Sequence, residues 1–162
     1  MINNLSYSIR GYYYYEIIDA STKKIEKCSK QKNNLILNQG MNYVAVRAFA
    51  DNFLSCAVGT SSTAPLLTDT SLGAESKRST TYNTDGGYCG ATLNSNILSI
   101  FRTFVFPTET QANQYGEIAW SYDSVAGANL FSKAILVDEY GNPGPIIVQA
   151  GKYIQVKYTL EI

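Results

Sequence analysis

The run from Tyr153 to Ile162 alternates without a break. Ile154, Val156, Tyr158, Leu160 and Ile162 are apolar, while Tyr153, Gln155, Lys157, Thr159 and Glu161 are mostly polar. Successive side chains leave a pleated backbone on opposite sides, so a period of two marks a strand with one buried and one wet face. Fully burying side chains of this kind is worth roughly 1.5–3 kcal/mol each. Deleting the segment should therefore unfold the domain, and the chain is expected to be built from sheet.

Other segments agree. From Ile97 to Phe106, Leu98, Ile100, Phe104 and Phe106 fill one parity and Ile97, Phe101 and Val105 the other, as in a central strand covered on both faces, and Pro107 stops it. Residues 5–18 place Tyr7, Ile9, Tyr13, Tyr15 and Ile17 on one parity. The second parity mixes Ser8, Arg10 and Glu16 with Tyr12, Tyr14 and Ile18. Asp19 to Thr22 are turn residues, after which Lys24 to Gln31 can return as the second strand of a hairpin. Five lysines between Lys23 and Lys32, against Glu26 alone, would discourage further strand pairing at an edge.

Phe53 to Val58 is a short apolar run ended by Gly59, followed by the polar loop Thr60 to Pro65. Edge strands are expected near 76–82 and 88–93, around a turn at Asp85-Gly86-Gly87, and further strands at Glu117 to Tyr122 and Leu130 to Val137. The helix signal lies at 39–52, where Met41, Val44, Ala45, Ala48 and Phe49 keep helical spacing and Asn38 can cap the start. These elements predict a single domain over 1–162: an all-β, antiparallel, jelly-roll-like β-sandwich with one short helix at about 39–52. The N-terminal hairpin 5–32 is read as an assembly arm.

The chain has 162 residues, 45% hydrophobic and 16% charged, enough for a core of its own. Thirteen Lys and Arg balance thirteen Asp and Glu, which argues against nucleic acid or an anionic membrane as partner. Histidine is absent, removing the usual general base, the Ser-His and Cys-His pairs and most zinc or copper sites. Cys28, Cys56 and Cys89 form neither a CxxC pair nor an even set and are read as free thiols. No apolar stretch reaches the length of a membrane span, and Met1 to Asn4 lack a secretory pattern, so the chain is expected to stay in the cytoplasm until assembly or lysis. Gly86, Gly87 and Gly90 do not open a helix after a strand, and Gly59 with Ser61 is a loop, not a nucleophile elbow. Asp85, Glu109, Glu117 and Asp123 are too scattered for sequence to pair them as a glycosidase would require. No catalytic residue, cofactor or metal site is expected.

Thirteen tyrosines form the conspicuous surplus. Tyrosine supplies rigid contact area with a polar tip, which suits an interface, but also plain cross-strand packing, or a sugar platform built on Trp120, Tyr122 or the Tyr12 to Tyr15 run.

The order of segments adds a resemblance. Ile17 to Lys24 and then Lys32 to Met41 are similar to the opening of small tailed-bacteriophage virion proteins of the tail-fibre or minor tail type. Ala57 to Pro65, with Thr68-Asp69-Thr70-Ser71-Leu72 and Glu75 after it, resembles that group's Gly-Thr-rich loop and the segment that follows. Phe104 to Phe106, Gly116 to Ala119, Leu130 to Ala134 and Ile154 to Leu160 are similar to its final strands. The resemblance implies a non-enzymatic virion structural protein of the tail, collar or fibre-attachment region, packed against copies of itself and other virion proteins. A receptor- or carbohydrate-binding module at the tail tip, reading a host surface glycan, and a head fibre or capsid decoration protein are the alternatives. Tyr12, Tyr13, Tyr14, Tyr15, Thr60 and Ser61 are the expected interface residues, the N-terminal strands pairing by strand addition.

Overall fold

The computed structural model describes residues 9–38, 54–83, 89–94, 97–127 and 129–161, with backbone alone for 89–94 and 97–98. The helix expected at 39–52 and the turn at Asp85-Gly86-Gly87 lie outside the described residues. The described chain is all-β and antiparallel. Its twelve strands are β1 Arg10–Asp19, β2 Ile25–Cys28, β3 Lys32–Ile36, β4 Ser55–Gly59, β5 Glu75–Ser79, β6 Cys89–Asn94, β7 Ile97–Val105, β8 Asn113–Tyr115, β9 Glu117–Ser121, β10 Leu130–Ile135, β11 Ile146–Val148 and β12 Lys152–Glu161.

β12, the alternating C-terminal segment, pairs with β1 from Arg10↔Glu161 to Asp19↔Lys152 and with β7 on its other side. The main sheet runs β5-β4-β9-β10-β3-β1-β12-β7-β6, with β2 beside β1, while β8 and β11 form a small second sheet. Beyond β5 the chain reaches across to β7: Val105 N–H donates to Thr81 O at 2.9 Å and Asn83 N–H to Thr103 O at 3.0 Å. The sheet thereby curls until it nearly closes, which leaves few exposed edges. Arg78, Ser79, Val105 and Phe106 line a cavity of about 240 Å³ at this seam.

The inward face follows the parity read from sequence. Tyr13, Tyr15 and Ile17 of β1, Ile154, Val156, Tyr158 and Leu160 of β12 and Phe104 of β7 are buried together. Trp120 of β9 stands among them, its ring centroid 3.8 Å from Tyr158 and edge-on to Phe131 at 5.8 Å and Phe104 at 6.4 Å. Such aromatic pairs add to simple area burial. β4 and β9 are buried along their whole length, as is β10 up to Ala134, so both faces of this part of the sheet are covered. The outer cover includes Leu37 and Leu72, packed with Ala57, Ala119 and Leu130.

Candidate functional site

The loop between β4 and β5, residues 60–74, lies over that outer face, and an ion cluster holds it there. Glu117 of β9 shares its face with Ala119, and Lys133 of β10 pairs in register with Ala119, so acid and cation meet beneath the loop. Lys133 Nζ lies 3.3 Å from Glu117 Oε2 and 3.1 Å from Asp69 Oδ2. The Glu117 side chain is fully buried and that of Lys133 is 4% exposed. Glu117 also accepts the N–H groups of Gly73 at 3.0 Å and Ala74 at 2.7 Å. Asp69 accepts the N–H of Leu66 at 3.1 Å, closing the turn 66–69 from which Asp69 N–H donates back to Leu66 O. Burial alone would raise the Asp69 carboxyl; the Leu66 N–H and Lys133 outweigh it and hold the group below its ordinary range. Buried charges are tolerated only when paired and hydrogen-bonded in this way.

Two glycines let the backbone come this close. A Cβ on Gly59 would lie 2.5 Å from both Ala74 O and Glu117 Oε1, and one on Gly116 would lie 2.5 Å from Ser61 O. Further bonds join Thr60 N–H to Ala74 O, Gly116 N–H to Gly59 O and Asn38 N–H to Leu67 O. Held from below, the loop presents Leu66 at 62% exposure and Leu67 at 52%. The two leucines are thus adjacent, open to solvent and carried on a backbone already fixed by hydrogen bonds and the ion cluster.

Glu109 and Asp123 go to networks that share no residue with this one. Glu109, nearly fully buried, accepts from Lys77, Asn113 and, at 2.6 Å, the Tyr115 hydroxyl. Asp123 bonds Asn129, and its carbonyl joins Ser55 to Arg78, which forks onto Glu75 with two 2.8 Å bonds. Asp85 lies outside the described residues. Among the described residues no three Asp, Glu or Cys side chains are grouped to hold a metal ion, and no helix is long and apolar enough to cross a membrane. Cys28 is exposed and Cys56 buried, both free.

The six expected interface residues divide between elements. Tyr13 and Tyr15 point inward at 2% exposure each and belong to the core, donating from their hydroxyls to Ile135 O at 2.6 Å and Val137 O at 2.7 Å. Burial, followed by the charges of Asp138 and Glu139, pushes the Tyr15 hydroxyl up to about 12. Tyr12 and Tyr14 lie on the outer face of β1, half-buried, in register with Thr159 and Lys157. Thr60 is exposed at the start of the loop, and Ser61 is half-buried against Gly116. Trp120, weighed as a sugar platform, is 1% exposed and packs the core.

Leu66, Leu67 and the joining of Glu117 to Lys133 and Asp69 are not among the features expected from the sequence. Signals for both were present: an apolar pair inside a Ser/Thr loop, and a lone charge in each of the apolar runs Glu117 to Trp120 and Leu130 to Leu136. No protein-family model matches the chain, and neither curated proteins nor solved structures include a match to it.

Proposed function

We propose that the chain is a bacteriophage virion structural protein of the tail, collar or fibre-attachment region that assembles as a homo-oligomer, its Leu66–Leu67 loop seated on a neighbouring copy. The curled sheet is read as the jelly-roll-like β-sandwich that the strand pattern predicts. One observation carries the assembly reading: two adjacent leucines, each more than half exposed, ride on a loop pinned by buried charge. Contiguous exposed apolar surface, unlike single scattered residues, is where protein–protein contacts form. The virion reading draws on the segments of the resemblance, whose residues Gly59, Asp69, Gly116, Glu117 and Lys133, far apart in sequence, all serve this one loop. Symmetric repetition would let many modest contacts sum to a durable particle.

The test is size-exclusion chromatography with light scattering on the wild type and on a Leu66→Ser/Leu67→Ser variant. The wild type should run as an oligomer and the variant as a smaller species with the same melting temperature. A wild type that stays monomeric at high concentration would overturn the reading.

A further inference from the structure

Among the described strands, β2 pairs with β1 alone. Ser29 N–H donates to Tyr15 O at 3.0 Å and Lys27 pairs with Ile17, so the backbone groups of Cys28, between them, turn away from β1. Among the described residues no backbone group meets them. The cause lies in β10. Its register with β3, Ser132↔Ile36 and Lys133↔Leu35, would carry it on beside β2 if it ran straight. Instead it ends at Ile135 and the chain folds into the turn 138–142, where Asp138 accepts the N–H groups of Tyr140 at 2.9 Å and Asn142 at 2.8 Å. Beside β2 lies a groove of about 220 Å³ with the buried Tyr15 and Ile17 at its floor and Lys27, Glu139, Tyr140, Ile147 and Asp138, whose carboxylate is taken up by the turn's own N–H groups, around it. Tyr140 is 74% exposed and Ile147 54% at its rim.

Charge selects the occupant. Five lysines lie between residues 23 and 32, and the one acid among them, Glu26, is taken by Lys152. Lys24 and Lys30 have no ion-pair partner among the described residues. Lys27 pairs with Glu139 at 3.7 Å, with both side chains substantially exposed, a contact that an incoming chain displaces easily. A second copy of β2 would set lysine against lysine. We infer that the groove accepts an extended acidic segment of a different chain, which adds to β2 as a strand, places an apolar side chain over Tyr15 and Ile17 and sets carboxylates beside Lys24 and Lys30. This mode takes affinity from main-chain bonds and selectivity from alternate side chains. It is independent of self-assembly through the 60–74 loop.

The experiment titrates an end-capped Asp-Val-Asp-Val-Asp-Val peptide into the 15N-labelled full chain and follows amide shifts. Saturable shifts at residues 25–30 and 138–147 are expected, lost when lysine replaces aspartate in the peptide and about tenfold weaker for a Lys24→Glu/Lys30→Glu variant. Both lysines are exposed, so the variant should keep the native spectrum elsewhere. No saturable shift at millimolar peptide, shifts confined to other strands, or equal binding of the lysine peptide would overturn the inference. Shifts at Tyr140 and Ile147 with cellohexaose but not with the peptide would overturn it in favour of a sugar groove.

Discussion

Replacing Lys133 by Met removes the cation between Glu117 and Asp69 while keeping most of the side-chain volume. Glu117 would retain the N–H groups of Gly73 and Ala74, but its full burial leaves no water to take over the missing charge. Breaking a buried pair by deleting one partner typically costs about 3–5 kcal/mol, a large share of the roughly 5–15 kcal/mol that holds a domain of this size together. The Asp69 side chain, 22% exposed, recovers part of its solvation and adds less. Urea unfolding at pH 7 should therefore show a loss of at least about 3 kcal/mol for Lys133→Met, with part of it recovered in Lys133→Met/Glu117→Gln, because the double change removes the fully buried stranded charge, although the Gln amide can accept only one of the Gly73 and Ala74 N–H groups. The slope of the transition should stay the same in all variants. A loss below about 1 kcal/mol, or a double variant no better than the single one, would refute the reasoning that this charge cluster fastens the loop.

Acid should weaken the fold. Asp69, Glu75 and Glu109 are all pushed upward by burial and pulled further down by their partners, ending below the ordinary carboxyl range. The unfolded chain then binds more protons than the native one, so stability present at neutral pH is lost as pH falls from about 5 toward 2. Glu16, raised by burial, acts in the opposite sense but stands against three. Urea midpoints that are flat or rising between pH 6 and pH 3, a range of about three units below neutrality, would contradict this. Gly116→Val should cost about 1–3 kcal/mol in the same assay because its Cβ meets Ser61 O, whereas Gly144→Ala, with nothing within 4 Å, should be near neutral. Tyr15→Phe strands the Val137 carbonyl and should lower stability by about 1–2 kcal/mol, measured by calorimetry, without changing oligomeric state.

Parity made the central strands legible. The alternation at 153–162 and at 97–106 leads directly to β12 and β7, and the inward set of β1 follows from Tyr13, Tyr15 and Ile17. β3 escaped notice because Lys32, Asn33 and Asn34 carry poor strand propensity and are held instead by pairing with β1. β8 and β11 are three residues each, too short for a period to register. The tyrosine run was harder to divide by purpose: alternation says that neighbours part company, not which pair faces a partner. Tyr13 and Tyr15 are committed to the core by their hydroxyl bonds to the chain after β10, contacts 122 residues away in sequence. The ion cluster was hidden for the same reason, since only the β9–β10 register brings Glu117 and Lys133 together beneath Asp69.

The most direct measurement follows the methyl NMR signals of Leu66 and Leu67, selectively 13C-labelled, as the concentration of unmodified chain is raised and light scattering reports the mass. Both signals should shift or broaden in step with the growth in mass, while those of core leucines such as Leu130 and Leu160 stay fixed. A mass that grows with the Leu66 and Leu67 signals unchanged, or that never grows, would contradict the account.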